Sequence, residues 1–440
     1  MKRITNKILF TLATILLLSG LYTANAQYSI SSPYSRFGIG YIRAGQNATL
    51  SSLGGIGYAF SGSNEVNTLN PASYSAVNMQ SFVFNIGFDL TKRKFSDNNL
   101  SSNAFTASIS NISLAFPVIN RLKMGIALSP LTEIDYLGAD TIISSDINRV
   151  KTFSGNGGID RFTVGLAYQP VKSLQHNLSV GANVTYYFGN LYRSSSLEFL
   201  TARDSNGVLR DTTGFFNNRT EKNYNVSSLG IDFGLQYFYR FKNSDELGIG
   251  LTFTPKHKLN TDKKQIVYTY YNYAAKPYIQ DTLSYSENDS DITMPMRIGF
   301  GLSYHKHNKF FAEADFTYTK WSEFEFEMQQ KNTLKDNWQM NLGIEYIPNA
   351  ASIMYYEKMA YRIGFHYDNG YIFLQDNRIN DIGISFGIAL PIKKLGTKIN
   401  LSLDCGKQGT NDNNLIKENY FRIGMSLSAS DRWFVKRKYQ

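Results

Sequence analysis

The residues able to do chemistry in this chain are few and scattered. His305 and His307 form an H-K-H run, and on an extended backbone both imidazoles face the same way and could share a metal. No Cys or carboxylate adjoins them, so no metal site is expected there. Asp289-Ser290-Asp291, after Glu287, offers the oxygen ligands that calcium takes, but a solvated acidic loop is the plainer reading. Gly38-Ile39-Gly40 and Gly54-Gly55-Ile56-Gly57 do not open a helix after a buried strand, so nucleotide binding has no support. No Ser sits in a nucleophile elbow, and the five His suggest no triad partner. Neither catalysis nor a cofactor is expected. Glu323, Glu325 and Glu327 share one strand face and continue Glu313 and Asp315. These acids read as a solvated lumen or rim face, with ion selectivity as the sharper alternative. Cys405 falls on an apolar face with Leu401 and Leu403.

What must position such residues is a succession of strands. Phe82, Phe84, Ile86, Phe88 and Leu90 alternate with Ser81, Asn85, Gly87 and Asp89. Leu229, Ile231, Phe233 and Leu235 alternate with Gly230, Asp232, Gly234 and Gln236. Successive side chains on a strand point to opposite faces, so each segment has one apolar and one polar face. About fourteen such segments run from 80–92 to 417–430, with the seventh at 246–271 and the eighth at 285–305. Connections alternate too. Short ones lie at Val118 to Asn120, Val171 to Gln175 and Lys242 to Asp245; long ones lie at Asp135 to Gly157, Tyr192 to Glu221 and Asp368 to Asn380. Long strands and alternating loop lengths predict an all-β, antiparallel transmembrane barrel rather than a secreted sandwich or propeller.

Lys2, Arg3 and Lys7, a short apolar run from Ile8 to Gly20, and Ala24-Asn25-Ala26 read as a signal peptide over residues 1–26. A single cysteine in an exported chain excludes an internal disulfide framework. The formal charge of +10 is dispersed apart from Lys436-Arg437-Lys438, and no basic helix with interleaved aromatics argues for nucleic acid. No linker divides the mature chain, so one large domain is expected. Tyr and Phe, at 30 each, supply aromatic girdles.

Two stretches carry a family resemblance. The first joins Ala59-Phe60-Ser61-Gly62, Asn70-Pro71-Ala72 and the first strand. The second joins Pro295, Ala314-Asp315, Tyr318, Trp321-Ser322-Glu323-Phe324, Lys335-Asp336 and Tyr361-Arg362-Ile363-Gly364. Their order resembles the FadL/TodX family of outer-membrane transporters of hydrophobic compounds. The resemblance implies a fourteen-stranded barrel over 80–430, a lumen plugged by an N-terminal hatch at 27–79, and a basic periplasmic tail at 431–440. It places the protein in the outer membrane with both termini periplasmic. It implies passive, hatch-gated lateral passage of long-chain fatty acids or aromatic hydrocarbons without a cofactor. Phe60, Gly62, Asn70, Pro71 and Ala72 are then hatch or gating residues, and Trp321, Ser322 and Phe324 are family-motif residues. Phe215, Phe216, Lys331, Tyr371, Phe373 and Leu374 are ligand-groove candidates on the long loops. The expected partners are outer-membrane lipid, a hydrophobic small molecule and the barrel-assembly machinery, with Phe434 as the terminal aromatic; the expected state is a monomer. Alternatives on the same fold are a binding or assembly protein, such as the type IX secretion shuttle, and a general porin.

Overall fold

The computed structural model describes residues 32–43, 45–98, 100–143, 148–199, 215–273, 276–306, 309–327, 333–392 and 396–432. The expected signal peptide, His307, Lys331, Phe434 and the end of the basic tail lie outside these residues. Fourteen antiparallel staves form one closed sheet. They are β1 (Ser81–Ser96), β2 (Ser101–Ile119), β3 (Leu122–Ile142), β4 (Arg149–Lys172), β5 (His176–Phe199) and β6 (Asn217–Arg240). β7 is Asp245–Thr254 continued by His257–Tyr273, and β8 is Lys276–Met294 continued by Arg297–Lys306. The rest are β9 (Phe310–Thr319), β10 (Asn337–Tyr346), β11 (Ala360–Asp368), β12 (Asp381–Pro391), β13 (Lys398–Gln408) and β14 (Lys417–Arg432). β14 closes on β1, from Lys417 opposite Ser96 to Arg432 opposite Ser81.

Side-chain alternation explains the closure. On β1, Phe88 and Leu90 are exposed outward, while Asn85, Asp89, Thr91 and Arg93 are buried inward. Leu229, Ile231 and Phe233 face outward on β6, and Gln236 is fully buried. An apolar outer surface over a polar interior suits a strand wall in lipid, where no water satisfies an open sheet edge. The fold is that of an outer-membrane β-barrel.

The wall is uneven in height. β4, β5 and β6 are each 24 residues long, whereas β9, β10 and β11 are 10, 10 and 9. Over the low wall, the connections fold inward. Trp321, Phe324, Leu334, Ile372, Ile379 and Leu415 pack against Ile134, Leu191, Tyr224, Leu259 and Ile292 of the tall wall.

β7 and β8 break in register at Pro255-Lys256 and Pro295-Met296, with Arg297 opposite Thr254 and Met294 opposite His257. Proline has no N–H to give a ladder, so two facing prolines interrupt both staves at one level. β8 begins at Lys276, earlier than its alternation suggests, because register shifts between Ile279 and Asp281 and between Thr282 and Ser284 blur the period there.

Candidate functional site

The N-terminal segment before β1 contacts inward faces around the barrel. The Asn70 side chain caps a 3-10 turn over Pro71–Ala76 by accepting the Ala72 N–H at 3.0 Å. Its amide donates to the carbonyls of Tyr58 (2.7 Å), Leu235 on β6 (3.2 Å) and Leu251 on β7 (3.4 Å). Proline fixes φ and asparagine closes a local turn, so the Asn-Pro pair makes a rigid plate against the wall. The wall is shaped to receive it. A Cβ at Gly234 would overlap Asn70 and Pro71, and one at Gly250 would overlap Tyr58. Phe60 packs edge-on against Phe311 of β9 at 5.5 Å, and the Gly62 carbonyl accepts the Glu65 N–H at 3.4 Å.

Buried carboxylates hold the same segment. Asp315 accepts the N–H groups of Gly57 (2.7 Å) and Tyr58 (3.0 Å), and Glu313 accepts that of Ala59 (2.7 Å). Both acids are buried, so the expected solvated face is a backbone clamp instead. Glu65, also buried, receives Asn47 and Thr49 from its own segment, Asn85 from β1 at 2.9 Å and Ser428 from β14 at 2.9 Å.

The β2–β3 seam is incomplete. Pairing runs from Ile119 opposite Leu122 to Ile112 opposite Leu128 and stops. Beyond it β2 stays paired with β1, and β3 with β4, but no pair joins the two among the described residues. The cause is local. Pro130 withholds an N–H just past the last pair, Leu131 bulges out of the β3–β4 ladder, and Ser110 bulges out of β1–β2. The N-terminal segment occupies the vacated edge of β3. Tyr41 and Ile42 pair with Glu133 and Thr132, and the Arg43 N–H reaches the Leu131 carbonyl at 2.8 Å. Arg43 also spans the split, 3.3 Å from Asp89 on β1 and 3.2 Å from Glu133 on β3.

Inside the split lies a cavity of about 340 Å³, a volume typical of small-ligand sites. Ser110 and Leu131 line it at the split, and Trp321 and Tyr371 line it at the mouth. Trp321 is buried and stacks on Tyr371 at 4.3 Å and 16°. The turn Trp321–Glu323 is held by Asp336, which accepts the Ser322 N–H and the Tyr318 hydroxyl, both at 2.8 Å. That contact explains why W-S-x-F and K-D occur together. Burial alone would raise the Asp336 carboxyl. The Ser322 and Tyr318 donors and the Lys320 charge outweigh it and leave this loop residue below the ordinary aspartate range.

Of the other candidates, Tyr371 and Leu374 pack against the mouth cluster, and Phe373 lies under the Lys335 ammonium at 3.1 Å. Phe215 and Phe216 sit instead at the tip of the tall wall, about half exposed, with Phe215 against Phe199. Phe324 tilts on Trp321 at 5.4 Å. Cys405 faces outward, as expected. Sequence reasoning missed Arg43, Tyr41, Ile42 and Glu65. The phase slip at Ser110 and the proline within β3 were the signals for the split.

These features define a FadL-type outer-membrane barrel. The same fold occurs in the CymD monoaromatic hydrocarbon channel, at 15% identity over 90% of this chain and 99% of that one, with a TM-score of 0.54. It also occurs in the Ralstonia pickettii toluene transporter TbuX, at 16% identity over 89% and 99%, with a TM-score of 0.53. A Pseudomonas aeruginosa FadL homologue aligns at 13% identity over 88% and 98%, with a TM-score of 0.54. No curated protein matches the chain in sequence. The family model for BamG matches residues 5–440, and the chain belongs to that family.

Proposed function

We propose that this protein is an outer-membrane channel for small hydrophobic or amphiphilic molecules. The ligand enters at the mouth, crosses the cavity and leaves sideways between β2 and β3. The reading is carried by one observation: a single cavity is lined by split residues Ser110 and Leu131 and by mouth residues Trp321 and Tyr371. Residues 27–79 act as the hatch, with Phe60, Gly62, Asn70, Pro71 and Ala72 on its fixed side and Tyr41 to Arg43 as its moving edge. Both termini lie in the periplasm in this reading, and passage is passive. The charged lumen favours amphiphiles such as fatty acids over pure hydrocarbons. Cells producing the protein should take up labelled decanoate faster than cells lacking it. Equal uptake of decanoate and of toluene in both strains would sink the channel reading.

A second reading, a protein-binding role on the same fold, has its own support. The upper β7–β8 ribbon raises Tyr278, Ile279, Leu283 and Tyr285 at 47–63% exposure. Large apolar side chains exposed together mark interaction surfaces. Photo-crosslinkers at Ile279 and Leu283 would trap a discrete protein in intact cells; crosslinks to lipid alone would count against it.

A further inference from the structure

The outer face of the β13–β14–β1 wall carries a basic cluster. From Phe82 to Leu90, β1 turns alternate apolar side chains outward over the length of one membrane-crossing strand. The next two outward residues are Lys92 and Lys94, both exposed, while Arg93 between them is buried. Strand register brings further outward side chains beside them. Lys94 is opposite Asn419 on β14, and Asn419 is opposite Lys407 on β13. Lys417 stands two residues nearer the loop end of β14, opposite Ser96. Paired strands lie about 4.8 Å apart and rise about 3.4 Å per residue, so the four lysine Cα atoms surround that of Asn419 at roughly 5–8 Å. Flexible four-carbon stems allow the ammonium groups to meet over it.

The cluster has no countercharge of its own. None of these four ammonium groups makes an ion pair among the described residues, whereas Lys258, Lys263, Lys264 and Lys320 pair with Asp291, Glu327, Glu287 and Glu323. No carboxylate faces outward on β1, β2, β12 or β13, and β14 has only Asp431, at its far end beside Phe82. Of the loop acids above, Asp412 accepts the Thr410 hydroxyl at 2.7 Å and Asp97 accepts the Leu100 N–H at 2.6 Å. Like charges gathered on one sheet face repel, so the cluster calls for an anion. Its lower border is apolar. Lys92 shares a row with Phe105 and Phe421, and Phe88, Leu90 and Ile423 are exposed beneath. A lysine at such a border lays its stem on apolar surface and lifts its charge to the headgroup level. The fitting occupant is anionic at one end and apolar at the other.

We propose that Lys92, Lys94, Lys407, Lys417 and the Asn419 amide bind the phosphate of an outer-leaflet lipid, whose acyl chains lie along Phe88, Leu90, Phe421 and Ile423. This inference rests on the orientation given above, with the long loops outside the cell. The test uses purified full-length protein in non-ionic detergent, titrated with diphosphoryl lipid A and with the same lipid stripped of phosphate, bound lipid being counted by native mass spectrometry. The phosphorylated lipid should bind about tenfold more tightly, the scale of one charge-assisted contact. Lys94→Gln with Lys407→Gln should remove that preference; heat-modifiable gel migration reports that the variant is folded. Asn419→Asp, which sets a carboxylate at the centre and keeps every lysine, should remove it too and serves if the double variant fails to fold. Lys258→Gln with Lys264→Gln, an equal loss of charge on the β7–β8 ribbon, should leave it intact. Equal binding of the two lipids, or an equal loss in the ribbon variant, would overturn the site. Displacement of lipid A by an equal concentration of inorganic phosphate would make it a small-anion site and overturn the lipid assignment. In intact cells, a membrane-impermeant maleimide should label Asp412→Cys in a Cys405→Ser background. No labelling of the folded protein would overturn the orientation and this inference with it; labelling without the phosphate preference would overturn this inference alone.

Discussion

The barrel has two instructive seams. At β14–β1 the ladder is complete from Ser96 to Ser81, and the N-terminal segment reinforces it through Glu65, which joins Asn85 and Ser428. At β2–β3 the ladder stops at Ile112 and Leu128, and the same segment substitutes for the missing partner strand. Both seams join neighbouring antiparallel strands, so topology does not distinguish them. The difference lies in backbone donors. Pro130 and two bulges deprive the β2–β3 seam of continuous pairing, while β1 and β14 pair without a shift. One barrel thus closes by a continuous ladder at one seam and by a borrowed edge strand at another.

Locking the second seam should produce the largest effect. Ile42 and Thr132 are opposed, next to the Arg43–Leu131 hydrogen bond, which makes theirs a narrow non-hydrogen-bonded pair. Such pairs have Cα atoms about 4.5 Å apart, within disulfide reach. In a Cys405→Ser background, Ile42→Cys with Thr132→Cys should form a disulfide and cut ligand uptake about tenfold or more, with reductant restoring it. Unchanged uptake in the fully oxidised protein would remove the split from the pathway.

Loosening the same seam should act in the opposite direction. Arg43→Ala removes both ion pairs across the split but no ladder bond. Losing about 1.5 kcal/mol of charge-assisted bonding shifts an opening equilibrium by about tenfold. Sensitivity to hydrophobic antibiotics should rise by up to that factor, with gel mobility unchanged. Wild-type sensitivity would mean that Tyr41 and Ile42 hold the edge alone.

The closed seam should show the converse behaviour. Asn85 accepts Val66 N–H at 3.0 Å and donates to Glu65 and to Ser428 at 2.7 Å. Asn85→Ala leaves buried groups unsatisfied, at a cost of about 1–3 kcal/mol. The urea midpoint of the purified barrel should fall while uptake by the surviving folded protein stays the same. A matching change in uptake would erase the distinction between the seams.

Much of this frame was legible in the sequence. Alternation such as Phe82 to Leu90 located the staves because lipid and lumen impose opposite polarity on successive residues. Asn70-Pro71-Ala72 was legible as a rigid turn because both side chains act locally. The split was not. Side-chain alternation records which face a residue takes, and β2 and β3 keep that alternation whether or not their backbones pair. Only Pro130 and the slip at Ser110 break the pattern, and each resembles an ordinary bulge. Glu313 and Asp315 read as solvated acids because their partners are backbone N–H groups more than 250 residues away.

The mouth offers the finest probe, because it caps the cavity above both seams. Asp336 is held below the ordinary aspartate value of about 3.9 by the Ser322 and Tyr318 donors and by Lys320. A depressed carboxyl stabilises the fold above its unfolded value, and that stabilisation is lost as pH falls through the folded value. The Trp321–Glu323 turn should therefore hold down to mildly acidic pH and loosen below about 3.9. Fluorescence of Trp321, isolated by Trp338→Phe and Trp433→Phe, should report that change as loss of its stack on Tyr371. Asp336→Asn keeps an oxygen for the Ser322 N–H but cannot titrate, so its signal should stay flat across the window. A transition of equal size in Asp336→Asn would assign the loosening to another acid and separate the mouth from this carboxylate. A flat signal, with uptake still blocked by the Ile42–Thr132 crosslink, would show that the mouth and the lateral seam open independently.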